Sequence, residues 1–295
     1  MGSGPSASTD VSPVFVVGVP RSGTTWIQRM LAMHPEAWGL LETYMFSRGR
    51  GLGGLLDSAP PVEEGDLGLP PPGLGRVFDR AELVGELRAI ATRWLTHGSD
   101  GARFVIEKSP WHLWDLDVIA EILPEARFVH VMRDGRDVAV SVIAARGSWS
   151  RIEQRSPSAT VREVASRWAD AMRQRDTAQV MLGEQLLEVR YEDTRSDPAR
   201  TCRDLFGHCG MPHDEDLIAR VVGATEFGRT DRPHGEGRPS RAGQVGQWRE
   251  RLGLRDAWSF ERLAGETLRE TGYESDPRWW RRCRLRSRLY RGGRI

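Results

Sequence analysis

Lysine is almost missing from this chain. Of its 42 basic side chains, only one is lysine, Lys108. Arginine is a rigid planar fork, whereas lysine is a compact, flexible point charge. A chain that uses arginine everywhere else therefore marks position 108 as a place where an ammonium is wanted; the plain alternative is chance. Cysteine is scarce too: Cys202, Cys209 and Cys283 are the only three, and their spacing follows no pattern. That argues against a disulfide framework or a four-thiolate zinc site, and predicts a reducing, cytoplasmic setting. No apolar run approaches the roughly 18 residues of a membrane span. Residues 1–13 are rich in Gly, Ser and Pro but lack the charged region and apolar core of a signal peptide. The net charge is +1, too small for a global field that steers polyanions, and no nucleic-acid partner is expected. An anion site must then be built from local clusters. The G-x-x-x-x-G-K-[ST] loop of P-loop NTPases is also absent.

What the sequence does contain is organised around residues 15–26. Phe15, Val16 and Val17 form a short apolar run, the pattern of a buried parallel strand. A tight turn with Pro20 and two glycines follows, and residues 24–33 carry apolar Trp26, Ile27, Met30 and Leu31 at helical spacing. A strand, a glycine-bearing loop and a helix N-terminus together make an oxyanion cradle, because unpaired amides and the helix dipole converge there. Arg21, Ser22, Thr24 and Thr25 add a cation and three hydroxyls. A tight turn that binds nothing is the bland alternative.

Further buried strands are expected at residues 103–108, 127–133 and 186–190, and helices at 81–96, 113–123, 134–146, 160–182 and 197–207. Pro198 suits the first helical position of the last of these. The alternation predicts an α/β fold, a three-layer sandwich with a central, doubly wound parallel sheet. Ligands bind such sheets outside the carboxyl ends of the strands. Arg21, Lys108 and Arg133 each lie at or just after such an end, so the fold would gather three cations at one edge. Three domain segments are expected: a disordered terminus over residues 1–12, a domain over 13–277, and a basic tail over 278–295. Residues 47–76, rich in Gly and Pro, read either as a segment covering the substrate or as a disordered insertion.

The loop Gly18-Val-Pro-Arg-Ser-Gly-Thr-Thr-Trp26 resembles the 5′-phosphosulfate loop of sulfotransferases that use 3′-phosphoadenosine 5′-phosphosulfate (PAPS). His34-Pro35 and Glu42-Thr43 are similar to the tyrosylprotein sulfotransferases, while Trp26 is more like the cytosolic enzymes. Arg127-Phe-Val-His-Val-Met-Arg-Asp-Gly-Arg-Asp-Val-Ala-Val-Ser141 resembles the family's 3′-phosphate strand and helix. Arg241-Ala-Gly-Gln-Val-Gly-Gln-Trp-Arg249 resembles a late element of the cytosolic enzymes, with Ala242 in place of a basic residue and Gln247 in place of an acid.

This resemblance implies PAPS as donor, with 3′-phosphoadenosine 5′-phosphate (PAP) as the product and no metal required. It implies a cofactor site of Arg21, Ser22, Gly23, Thr24, Thr25, Trp26, Arg133, Ser141, Tyr191, Arg241 and Gly243, and catalytic roles for Arg21, Lys108 and Glu42. Glu42 is then the base; His112, four residues after Lys108, is its rival. Arg136 and Asp137 read as a solvated pair, and a structural ion pair of Arg133 with Asp134 or Asp137 competes with the phosphate role. The acceptor is expected to be a small-molecule hydroxyl. The rival functions are a P-loop kinase or NTPase and a protein that binds adenine nucleotides without turnover. Within residues 278–295, Trp279 and Trp280 are expected to dock on the domain, and the chain beyond Trp280 to be dispensable for catalysis.

Overall fold

A computed structural model describes residues 11–58, 74, 78–145, 157–226 and 243–284. In chain order the first elements are β1 (Ser12–Gly18), α1 (Thr24–Ala32), β2 (Ala37–Leu41), α2 (Leu52–Asp57), α3 (Arg80–Thr96) and β3 (Phe104–Lys108). A 3₁₀ turn, Pro110–Trp114, leads into α4 (Leu116–Ile122), β4 (Arg127–Met132), α5 (Gly135–Ala144), α6 (Pro157–Leu182) and β5 (Leu186–Arg190). The chain continues through α7 (Tyr191–Ser196), α8 (Pro198–Cys209), α9 (Glu215–Thr225), α10 (Trp248–Arg251) and α11 (Leu254–Glu270).

Among the described residues the strands form one sheet in the order β2-β3-β1-β4-β5, and every pairing is parallel. Successive side chains of a strand face opposite sides. On β1, Val14 and Val16 enter a core layer with Leu31 of α1, Phe206 of α8 and Ile218 of α9. Phe15 and Val17 enter the other layer, with Leu87 of α3, Ile119 of α4, Val138 of α5, Trp168 of α6 and Phe260 of α11. Burial on both faces explains why the strands read as continuous apolar runs. The expected three-layer α/β sandwich is therefore the fold.

One strand escaped the sequence. The chain after α1 reads as leaving the helix into a loop, yet Ala37–Leu41 pairs with β3 in parallel from Ala37↔Phe104 to Leu41↔Lys108. It is an edge strand, half exposed, and it lacks a β-branched residue. Gly39 lets it lie against α1, because a Cβ there would sit 2.6 Å from the Gln28 amide nitrogen. The segment 47–76 holds α2, while its residues 59–73 and 75–76 lie outside the described residues, as do residues 1–10.

The start of the basic segment packs on the domain. Trp279 is fully buried, and its indole donates to Glu261 at 2.7 Å. Cys283 joins the same core cluster, and the amide of Leu254 donates to the carbonyl of Arg284 at 2.8 Å. Residues 285–295, with most of the tail, lie outside the described residues. Burial pushes the Cys202 and Cys209 thiols up to about 12, so neither is a nucleophile near neutral pH. No helix among the described residues is long and apolar enough to cross a membrane.

Candidate active site

Each of the five strands delivers one candidate site residue at or just past its carboxyl end. Glu42 follows β2, Lys108 ends β3, the Arg21 loop follows β1, Arg133 follows β4, and Tyr191 follows β5. Parallel strands place all these ends at one edge, which is why residues far apart in sequence meet.

The loop after β1 is tightly shaped. Gly23, at the N-cap of α1, has φ 105°, and a Cβ on it would lie 2.5 Å from the Tyr191 ring. Only glycine meets both demands. Arg21 takes φ 77°, a left-handed backbone that costs a non-glycine residue about 1 kcal/mol or more. Its Nε donates to Ser141 Oγ on α5 at 3.3 Å. Burial first, and the Arg133 charge second, lower the Arg21 guanidinium below its ordinary value. The start of α1 presents its unpaired amides to the same space.

Arg133 is buried against the Tyr191 ring, its guanidinium 4.3 Å from the ring centroid. Its Nη1 donates to the Arg21 carbonyl at 3.2 Å and its Nη2 to the Gln244 carbonyl at 3.3 Å, while Nε, though buried, has no partner. The competing ion pairs are not formed. Asp134 pairs with Arg136 at 2.8 Å, and Asp137 accepts from the amides of Gly246 at 2.6 Å and Trp248 at 3.0 Å. Ser22 Oγ is likewise buried without a partner. Buried donors without acceptors are rare in folded proteins and call for an explanation.

Opposite this cationic side, Lys108 is 4% exposed, and its Nζ lies 2.7 Å from Glu42 Oε1. The phenol of Tyr44 donates to Glu42 Oε2 at 3.1 Å. The Tyr44 phenol is raised by burial, then by the Glu42 charge, so it stays protonated as that donor. The rival base is otherwise engaged. His112 is fully buried, its Nε2 accepts from the amide of Phe46 at 3.3 Å, and its Nδ1 meets Glu107 at 3.2 Å.

A cavity of about 300 Å³ lies between these groups. Arg21, Gly23, Thr24, Thr25 and Trp26 line it from the loop and α1, Arg133 and Ser141 from β4 and α5, and Glu42 and Tyr191 from across the sheet. Lys108 touches Glu42 but is not among the residues that line the cavity. Gly243 approaches from the far chain, its carbonyl accepting from the Tyr191 hydroxyl at 2.6 Å. Arg241 lies outside the described residues.

Arg136 and Asp137 correct an expectation. Read as a solvated pair, they are 0% and 1% exposed. The Arg136 guanidinium stacks 3.8 Å from the Trp248 ring and 4.6 Å from the Trp279 ring, and pairs with Asp134 and, at 2.9 Å, with Glu274. Asp137 holds the 243–248 segment beside the cavity by two amides. Burial, then the Asp134 charge, raises the Asp137 carboxyl. Arg136→Ala would leave the buried Asp134 carboxylate without its ion pair. It should destabilise the fold by about 3–5 kcal/mol in urea unfolding; a loss under about 1 kcal/mol would mean that the cluster is not a structural knot.

Fold and cavity define a doubly wound α/β protein with a candidate oxyanion loop at the carboxyl edge of its sheet. More narrowly, the chain belongs to the sulfotransferase family, whose family model matches residues 13–215. It is 28% identical to protein-tyrosine sulfotransferase 1 of Danio rerio over 232 residues, which are 73% of this chain and 59% of that protein. It is 31% identical to the omega-hydroxy-beta-dihydromenaquinone-9 sulfotransferase Stf3 of Mycobacterium bovis over 121 residues, 40% of this chain and 31% of that protein. The chain thus spans about three fifths and one third of these relatives. The crystal structure of mouse sulfotransferase SULT7A1 complexed with PAP matches the fold with a TM-score of 0.56 at 14% identity, covering 93% of this chain and 89% of the other. The sulfotransferase domain of the Synechococcus PCC 7002 olefin synthase matches with a TM-score of 0.53 at 19% identity, covering 94% and 100%.

Proposed function

We propose that this chain transfers a sulfuryl group from PAPS to a hydroxyl of an acceptor. The observation that carries this reading is the single cavity with Arg21 and Arg133 on one side and a Lys108-held Glu42 on the other. PAPS suits the donor set: Ser22 Oγ and Arg133 Nε are buried and lack acceptors, and two guanidinium groups are held close together. Arg21, Ser22 and the amides opening α1 would hold the 5′-phosphosulfate. Arg133 and Ser141, with Arg241 and Gly243, would hold the 3′-phosphate, and Thr24, Thr25, Trp26 and Tyr191 would flank the nucleotide. PAPS, when bound, supplies an activated sulfuryl group on a phosphate leaving group. A sulfuryl group carries less charge than a γ-phosphoryl, so we assign no metal.

The protein's part is positioning and electrostatics. Glu42 takes the proton of the acceptor hydroxyl. Lys108 places positive charge where a leaving oxygen becomes negative. Arg21 holds the transferring oxygens in line.

The acceptor would enter through a second cavity of about 730 Å³, which shares Pro20, Arg21, Tyr44 and Trp111 with the first. Val138, Val142 and Val164 form an apolar wall there. That wall favours a small molecule with an apolar body over a polar sugar. A peptide tyrosine, the acceptor named in the Danio rerio relative, is the alternative.

Thermal-shift measurements with PAP, and with ATP plus magnesium, test the donor. PAP without metal should stabilise the protein; stabilisation by ATP plus magnesium alone would overturn the reading in favour of a kinase or NTPase. Arg133→Ala should weaken PAP binding by about 1.5–3 kcal/mol, the worth of a charge-assisted hydrogen bond. An analogue lacking the 3′-phosphate should lose much less, and equal losses would make Arg133 structural.

A further inference from the structure

We propose that Glu107 is a positioning residue: with Ser109 and His112 it forms a buried mould that casts residues 42–46 and thereby aims Glu42. The catalytic half of this proposal rests on the sulfotransferase reading above; the structural half does not.

Past the end of β2, five successive amides each find an acceptor, the first of them still on β3. The amide of Glu42 donates to the Lys108 carbonyl at 2.9 Å. That of Thr43 donates to Glu107 Oε1 at 3.1 Å, and that of Tyr44 to Ser109 Oγ at 3.2 Å. The Met45 amide donates to Thr43 Oγ1 at 3.3 Å, and the Phe46 amide to His112 Nε2 at 3.3 Å. Three of the five acceptors are side chains of the segment that follows Lys108 or immediately precedes it. Glu107 ties them together. Its Oε1 also accepts from the hydroxyls of Thr43 at 2.8 Å and Ser109 at 2.6 Å, and its Oε2 meets His112 Nδ1 at 3.2 Å. Because Nε2 of His112 accepts from Phe46, its proton is on Nδ1 and is donated to Glu107.

Glu107 is 0% exposed, and a buried carboxylate is tolerated only when its lone pairs are filled. Burial works against its charged form, but the bonds from His112, Ser109 and Thr43 outweigh it and hold the carboxyl below its usual value. The mould also explains Tyr44. That residue sits at φ 53°, a left-handed backbone that a tyrosine does not choose unaided. Pinned there by Ser109, it points its hydroxyl at Glu42 Oε2, while Lys108 holds Oε1. The carboxylate is thus fixed from both sides, by Tyr44 on its own segment and by Lys108 at the end of β3. Local pattern could not show this, since the partners lie 64 to 66 positions apart.

The test is hydrogen exchange on the full chain, read by mass spectrometry over peptides spanning residues 42–47. Two variants are used, because Glu107→Gln can fail to fold. Glu107→Gln turns one acceptor end into a donor. Thr43→Val removes one hydroxyl and is the milder change. Both should raise exchange at residues 43–46 by on the order of tenfold or more, with PAP affinity and exchange at residues 22–27 unchanged. Turnover with PAPS and 4-nitrophenol should fall about tenfold to a hundredfold in kcat, because small misplacement of a reacting group is costly. Thr43→Ser, which keeps the hydroxyl, should restore both readouts to within about threefold. Unchanged exchange at residues 43–46 in Thr43→Val would overturn the mould. Raised exchange with unchanged kcat would overturn its positioning role. A wild-type protein that neither binds PAP nor transfers sulfuryl overturns the functional reading instead, and the exchange result still decides the mould.

Discussion

Lys108→Ala should lower turnover by about 10²–10³, the usual cost of removing one group that meets developing charge, while PAP affinity changes much less. The reason is geometric. The ammonium is 4% exposed and lies 2.7 Å from Glu42 Oε1, at the end of the strand next to β1. Its charge is worth most when the leaving oxygen becomes negative, so its loss falls on kcat rather than on ground-state binding. Lys108→Arg should not restore the rate. A guanidinium is planar and broader than an ammonium, and it cannot occupy the same point beside Glu42 Oε1. The alanine variant also frees one oxygen of Glu42, so the effects of the two residues should not add. Combining Lys108→Ala with a Glu42 variant should cost less than the product of the single losses. Wild-type-like turnover in Lys108→Ala, measured with PAPS and a phenolic acceptor, would remove Lys108 from the mechanism.

The cation edge was legible because its signals are local. β1, β3 and β4 are apolar runs, each ending within a few residues of a basic side chain, and the parallel topology follows from alternation with helices. β2 was not legible. Its sequence, Ala-Trp-Gly-Leu-Leu, lacks β-branched residues, and its edge position leaves it half exposed, so no buried pattern marks it. The polar pair Arg136 and Asp137 misled for a related reason. Charged neighbours read as surface unless their partners are known, and here the partners Glu274, Gly246 and Trp248 lie 109 to 138 positions away. Glu107 carried one signal that went unused: a carboxylate within an otherwise apolar buried strand must be satisfied by something. Nothing in the spacing says by what.

Glu42→Gln should reduce turnover by about 10²–10⁴ with nucleotide binding intact, the range for loss of a general base. Glutamine keeps the shape and one accepting oxygen, but its other end becomes a donor and it cannot take up the acceptor's proton. The geometry favours Glu42 over His112 on access. Its side chain is 42% exposed and lines the cavity, whereas His112 is fully enclosed with both ring nitrogens engaged. His112→Ala is therefore not a silent control. Through Phe46 and Glu107 it loosens the segment that carries Glu42, so it should lower kcat and also raise hydrogen exchange over residues 43–46. Glu42→Gln should lower kcat and leave exchange at those residues alone. One further readout separates base from scaffold. Acceptors of lower pKa should rescue Glu42→Gln preferentially, because an acceptor already ionised needs no base. If instead His112→Ala responds to acceptor pKa while Glu42→Gln does not, the histidine is the base and the carboxylate is its support.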